Sequence, residues 1–238
     1  MDLAFTDEQA MLKDSIEKFI INDYGFDVRQ KNASSDPGFS PELWTLFAEL
    51  GWTAVPFAEA DGGFDGGPVE LMVMMQQFGR GLVVEPFLAN IVLAGGVLRR
   101  SADEAQRSRW LEPIIAGELQ AALATGEPQS RYDLANVQTT ATKEGGDWII
   151  NGQKGVVFNG GSAELLLVPA RTSGDSRDAD GITLFAVDAS AEGVSRTSYP
   201  TVDGHRAAEI GLENVRVAAD CVLGAEGSAH AVLEAVVD

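Results

Sequence analysis

Cysteine is nearly absent from this 238-residue chain; the one residue, Cys221, excludes an internal disulfide and suits a reducing compartment. Histidine is almost as scarce. His205 and His230 are too isolated for metal-ligand spacing, and Cys221 has no partner base nearby in sequence, so neither a metal site nor a nucleophilic triad is expected. Cations are few: 17 Lys and Arg against 36 Asp and Glu leave a formal net charge of −19, which argues against nucleic acid and anionic membranes as bulk partners. Long apolar runs are missing as well. Leu165 to Ala170 is far too short to cross a bilayer, so no membrane insertion is expected. Met1 to Ile21 begins with acidic residues and lacks the basic and apolar regions of a secretory leader. Together these absences predict a cytoplasmic protein. The glycine-rich Asp61 to Gly67 has no following basic residue, so it reads as a flexible connection and not as a phosphate loop.

What is present falls into two halves of different periodicity. Residues 1 to about 118 read as helices. Thr6-Asp7-Glu8-Gln9 fits a capping box, followed by Leu12, Ile16, Phe19 and Ile20 at helical spacing. Ser40-Pro41 gives an N-cap with proline at the first helical position, and Leu43, Trp44, Phe47 and Leu50 form a stripe that ends at Gly51. Pro68 starts another helix, carrying Val69, Met72, Val73 and Gln76. Phe87 to Leu98 is apolar almost all round and so is expected to be buried; Asp103 to Ile115 makes a last helix.

From about 119 the period becomes that of strands. Ala121 to Thr125, Val137 to Thr142, Trp148 to Asn151, Lys154 to Phe158, Leu165 to Ala170, Ile182 to Asp188, Gly193 to Ser198, Ala207 to Leu212 and Val215 to Val217 are the expected segments. Asn151-Gly152 is a strong hairpin signal between the third and the fourth. Helices followed by strands predict an α+β chain: an N-terminal all-helical domain (1–118), then a middle antiparallel β-barrel or sandwich domain (119–225). Ser228 onward starts a helical stripe without a terminal cap, so 226–238 reads as the start of a further helical domain.

Several segments carry a resemblance. Glu127-Pro128 follows a strand; Asn151-Gly152-Gln153-Lys154, Asn159-Gly160-Gly161 and Ala170-Arg171-Thr172 come next, and Gly204-x-Arg206 precedes Leu212-Glu213-Asn214-Val215. In this order and at these spacings the chain resembles the acyl-CoA dehydrogenase family over essentially its whole length. The resemblance implies a C-terminal four-helix domain after the two domains above, mostly absent from this chain. Residues 56–70, 129–141, 152–157 and 199–209 are similar to the small subunits of pimeloyl-CoA dehydrogenases. That implies a large partner subunit of the same family and a dicarboxylic acyl-CoA.

The resemblance further implies FAD as cofactor and α,β-dehydrogenation of an acyl-CoA thioester. A carboxylate removes the α proton while the β-hydride passes to the flavin, which carries the redox chemistry. Electron-transferring flavoprotein is the implied acceptor, and a homo-oligomer is the alternative to a large partner subunit. The base is expected in the absent C-terminal domain, so no catalytic residue is assigned. The family's Thr-Glu-Pro becomes Gly126-Glu127-Pro128, removing a hydroxyl expected near the flavin pyrimidine. Thr125 replaces it only if a bulge intervenes, because adjacent strand side chains face opposite ways. The backbone of Leu123, Thr125 and Gly126 remains as a set of donors. The family's Trp-Ile-Thr becomes Val156-Val157-Phe158, with a phenyl ring in place of a hydroxyl. Arg131-Tyr132-Asp133 stands at a Gly-Ser-Asp segment, where Tyr132 keeps a hydroxyl and Arg131 suits a phosphate or carboxylate of the substrate. The acidic surface is no bar to coenzyme A, since local arginines or backbone amides hold its phosphates.

Leu123, Thr125, Gly126, Val156 and Phe158 are therefore the candidate cofactor residues, and Arg131 and Tyr132 the candidate substrate residues. Plainer readings stand beside these: Val156 to Phe158 as ordinary core strand, Arg131 as a surface or salt-bridge residue, and Gly204 and Arg206 as shaping a turn and a subunit contact. Two functions remain open. One is an FAD-dependent dehydrogenase subunit; the other is a non-catalytic structural partner with a degenerate flavin site, supporting a large catalytic subunit.

Overall fold

The computed structural model describes residues 4–237; Met1–Leu3 and Asp238 lie outside the described residues. The chain divides into two compact units, Met1–Glu85 and Pro86–Asp238. In the first, α1 (Asp7–Asn22), α2 (Phe26–Ala33), α3 (Pro41–Glu49) and α4 (Pro68–Gly81) surround an aromatic core. The capping box forms at the start of α1: the Gln9 amide donates to Thr6 Oγ1 and the Thr6 amide to Gln9 Oε1. At α3 the Leu43 amide donates to Ser40 Oγ. Phe47 anchors the unit, 4.9 Å from Trp52, 5.4 Å from Phe19 and stacked at 5.4 Å on Phe78. This stack corrects the expected face of α4. Val73, Met74, Gln77 and Phe78 are buried, whereas Val69 and Met72 are exposed, because the ring of Phe78 turns its own side of the helix inward.

A polar network closes the same unit. The buried Glu85 carboxylate accepts from Tyr24 Oη at 2.6 Å and from Asn32 Nδ2 at 3.1 Å, and Tyr24 Oη accepts the Val84 amide. Burial raises Glu85 above the usual carboxylate range, against these hydrogen bonds, and burial beside Glu85 likewise raises the Tyr24 phenol.

The second unit begins with helical turns. A π-helical stretch (Leu88–Gly95) runs into α5 (Gly96–Ser101); α6 (Glu104–Gln106), a second π stretch and α7 (Glu112–Ile115) follow. These residues share periodicity with the first 85 but pack elsewhere. Asn90 Nδ2 donates to the Leu119 carbonyl and Asn90 Oδ1 accepts the Ala121 amide, binding the helical stretch to the first strand. The compact units thus divide at 85, whereas the periodicity changes near 118.

Among the described residues, eight strands form one sheet: β1 (Ala121–Leu123), β2 (Thr140–Glu144), β3 (Asp147–Phe158), β4 (Leu165–Arg171), β5 (Ile182–Asp188), β6 (Val194–Pro200), β7 (Arg206–Val217) and β8 (Val222–Leu223). The order is β6-β7-β3-β2-β4-β5-β8, with β1 parallel to β4 beside this path. Other pairings between these strands are antiparallel except the bridge from Thr140 to Arg171, and Ile182 makes a further parallel bridge to Ser228. Every β4 residue is buried, as are Ile182 to Val187 of β5, and Trp148 meets Phe185 edge-on at 5.3 Å. Last comes α8 (Ala229–Val237), which buries Leu233. Among the described residues no helix is long and apolar enough to cross a membrane.

Two expected strand breaks are absent. Asn151-Gly152 makes no hairpin; β3 runs through it. The hairpin turn is Gly145-Gly146, between Glu144 and its partner Asp147, with Gly145 at φ 66°. Asn151 and Gly152 instead lie at a bulge, where Asn151 Oδ1 accepts the Asn214 amide at 2.8 Å. A Cβ on Gly152 would lie 2.5 Å from Thr139 Oγ1. Close strand approach, not a reversal of direction, therefore requires the glycine. On the partner strand Asn214 takes φ 53°, absorbing the extra residue, so the two expected segments from Ala207 to Val217 are one strand. The strand expected from Val137 begins at Thr140, because Glu127 captures the amides of Gln138 and Thr139.

Candidate functional site

The free edge of β1 and the outward face of β3 make up the site. The Ala124 amide donates to the Leu167 carbonyl at 2.9 Å, so even-numbered amides here face β4. The Ala121 amide points the other way, to Asn90. By the same alternation, the amides of Leu123 and Thr125 are the next donors along that open edge. β1 itself ends at Leu123, and the irregularity that Thr125 needed in order to replace the missing hydroxyl falls in β3 instead.

That irregularity is a bulge. Between the pairs Lys154–Ile210 and Val157–Ala208, Gly155 and Val156 oppose Glu209 alone. Val156 takes φ 53°, a left-handed conformation that is an outlier for a β-branched residue. The Gly155 amide donates to the Gly126 carbonyl at 2.9 Å, drawing the bulge against the end of β1. A Cβ at Gly126 would stand 2.6 Å from the Gly155 carbonyl oxygen. Gly126 is therefore a consequence of this approach, and no side-chain hydroxyl fits there unless the bulge moves.

The bulge also sorts Val156, Val157 and Phe158. Only Val157 is core; Val156 and Phe158 are 56% and 43% exposed, which corrects the plainer reading of all three as core residues. Leu123 is buried, with Thr125 and Gly126 half-buried. These residues lie where the chain brings β1 and β3 together. Arg131 and Tyr132 sit apart from the strands, on the turn after Glu127. Both are exposed, Tyr132 almost entirely, and neither side chain has a partner among the described residues.

Beneath the site lies a buried ion pair that the motifs alone did not bring together. Lys154 Nζ stands 2.6 Å from Glu127 Oε1, with side-chain exposures of 0% and 2%. Glu127 also accepts the Gln138 amide at 2.7 Å, the Thr139 amide at 3.1 Å and Gln129 Nε2 at 2.7 Å. Burial alone would raise this carboxyl; the Lys154 charge and the hydrogen bonds outweigh it and hold it down at about 2. One side chain thus fixes the end of β1, the approach to β2 and the middle of β3. The signal was present, because Glu127 stands in Glu127-Pro128 and Lys154 closes Asn151-Gly152-Gln153-Lys154, but the two are 27 residues apart. Arg171 acts similarly nearby: its guanidinium donates to the carbonyls of Ala135, Asp178 and Asp180, bracing the turn that carries Arg131 and Tyr132.

Chemically, the arrangement offers two amide donors on one edge and an apolar outward face next to them. It suits a planar heterocycle with carbonyl oxygens on its rim, and no group of three or more His, Cys, Asp or Glu among the described residues could hold a metal ion. Residues 6–118 match the acyl-CoA dehydrogenase N-terminal domain, and residues 122–215 match the acyl-CoA dehydrogenase middle domain. The chain belongs to the acyl-CoA dehydrogenase family. This is a flavoprotein family of fatty acid metabolism.

Among its relatives, acyl-CoA dehydrogenase FadE12 of Mycobacterium tuberculosis is 30% identical over 231 residues, covering 96% of this chain and 59% of FadE12. A solved ChsE4-ChsE5 complex from Mycobacterium tuberculosis superposes with a TM-score of 0.88 at 23% identity, over 100% of this chain and 61% of that one. An FAD complex of PigA gives a TM-score of 0.86 at 23% identity, over 99% of this chain and 63% of that one. At these identities the two structures show the fold alone. The chain spans about three fifths of the length of the curated relatives it matches. The backbone donors at the open edge of β1 are of the kind a flavin's pyrimidine carbonyls take, while no side-chain hydroxyl stands at position 126 or 158.

Proposed function

We propose that this chain supplies the flavin-facing part of an FAD-dependent acyl-CoA dehydrogenase subunit, acting on a dicarboxylic, pimeloyl-CoA-like thioester. The observation that carries the reading is the row of open-edge amides at Leu123 and Thr125 beside exposed Val156 and Phe158. When bound, FAD accepts the β-hydride. The chain's own part is to hold the ring's carbonyl rim with backbone donors, to cover one face with Val156 and Phe158, and to exclude water there. Arg131, exposed on its turn, is available for an anionic group of the acyl-CoA, with Tyr132 beside it. The proton-abstracting carboxylate is expected outside the two matched domains. A large subunit of the same family is the expected partner, as the ChsE4-ChsE5 neighbour has two named components, with a homo-oligomer as the alternative and electron-transferring flavoprotein as the acceptor.

A second reading has its own observation. The contact of Gly126 with the Gly155 carbonyl leaves no room for the usual hydroxyl, which favours a non-catalytic partner with a degenerate site. Titration with FAD, followed by flavin absorption and fluorescence, separates the two. Bound flavin on the chain alone supports the first. No bound flavin alone, with flavin appearing only on addition of the large subunit, refutes it in favour of the second.

A further inference from the structure

We propose that Glu209 is a positioning residue that locks the Gly155–Val156 bulge and thereby sets the face to which a flavin would be held. The role toward flavin rests on the function proposed for the site; the role toward the bulge does not. Glu209 is the one β7 residue opposite Gly155 and Val156 of β3. Its Oε1 accepts the Val156 amide at 3.3 Å and Tyr199 Oη at 2.8 Å. Tyr199 belongs to β6 and pairs with Ala207, which in turn pairs with Phe158. Partners across a ladder share a face, as do residues two apart along a strand. Tyr199, Ala207, Glu209 and Phe158 therefore lie on one side of the sheet, the side to which Phe158 turns its ring.

The bulge needs such a lock. A β-branched residue in the left-handed region is strained and persists only where its surroundings over-determine it. Two groups do so here: the Gly126 carbonyl holds the Gly155 amide, and the Glu209 carboxylate holds the Val156 amide. A hydrogen bond to a charged acceptor is stronger than a neutral one, and Tyr199 fixes the carboxylate's direction. Without Glu209, Val156 can relax toward the extended region. The outward placement of Val156 and Phe158, and their register with the donors of Leu123 and Thr125, would then be lost.

The test uses the full chain with Glu209→Ala, Glu209→Gln and the double variant Glu209→Ala/Val156→Gly. Residue-resolved amide exchange at Val156 is read without flavin, and FAD affinity is read by fluorescence titration. Glu209→Ala is expected to speed Val156 exchange and weaken FAD binding, each by about tenfold, the loss of one charge-assisted hydrogen bond. Glu209→Gln keeps an acceptor oxygen without the charge and should fall between wild type and Glu209→Ala. The double variant should recover protection of the Gly155 amide on the Gly126 carbonyl, because glycine holds the left-handed conformation without help; a general loss of folding would not be rescued this way. Unchanged Val156 exchange in Glu209→Ala overturns the lock. Faster exchange with unchanged FAD affinity overturns the positioning role. If the wild-type chain binds no FAD, the flavin reading fails and takes that role with it, while the exchange result still decides the lock.

Discussion

Replacing Lys154 by methionine is the sharpest test of how this site is built. The substitution keeps volume and removes only the cation that faces Glu127 at 2.6 Å in a fully buried setting. Removing one partner of a buried pair costs about 3–5 kcal/mol, because the remaining charge is left uncompensated. For a unit of this size that corresponds to a fall of roughly 10 °C or more in melting temperature. Acid should narrow the difference. In the wild type Glu127 is held at about 2 from an ordinary 4.5, so its contribution is fully present above 4.5 and is lost as pH falls through that window toward 2. Its size is about 3 kcal/mol by linkage. In Lys154→Met the cation is gone and burial pushes the carboxyl up instead, so the variant suffers most at neutral pH and least near pH 3. Urea unfolding at pH 7 and at pH 4, followed by tryptophan fluorescence, measures both; Trp148 reports from within β3. Adding Glu127→Gln to Lys154→Met should recover part of the loss, since no unpaired charge then remains. A Lys154→Met protein as stable as wild type at pH 7, with no change in the gap on acidification, would refute the assignment of this pair as the clamp of the site.

Gly126→Thr, which restores the family's hydroxyl, should destabilise the second unit by about 1–3 kcal/mol, because its Cβ would meet the Gly155 carbonyl oxygen at 2.6 Å. Thermal melting checks this, and a gain in melting temperature would show that the bulge yields easily. Tyr24→Phe should cost about 2–3 kcal/mol in the first unit by leaving the Val84 amide and Glu85 Oε2 without their shared partner; chemical denaturation read through Trp44 and Trp52 measures it. Phe158→Thr, returning a hydroxyl to the exposed face, should change stability by less than about 1 kcal/mol, since the ring is 43% exposed. It should tighten FAD binding in a fluorescence titration if the flavin reading holds, and weaker binding would count against a hydroxyl partner at that position.

Local chemistry was legible along the chain wherever a signal and its consequence lay within a few residues. The capping box at Thr6, the Ser40 cap, the buried run of β4 and the change from helical to strand periodicity near 118 all rest on such short-range physics. The order of motifs, from Glu127-Pro128 to Leu212-Glu213-Asn214-Val215, was likewise enough to indicate the family. The features left undecided depended on strands that meet only after folding. Asn151-Gly152 has the composition of a hairpin, yet a neighbour 63 residues away takes the Asn151 side chain and turns the pair into a bulge. Val156 and Phe158 have the composition of core strand, yet one extra residue opposite Glu209 places both on the outside. Side chains alternate with a period of two, so an inserted residue reverses the facing of every later position in the strand. Glu127 and Lys154 were each visible in their motifs, but only the approach of β1 to β3 brings the carboxylate and the ammonium to 2.6 Å. Sequence determines what each segment can be; long-range register decides which of its faces meets the core and which is left for a ligand.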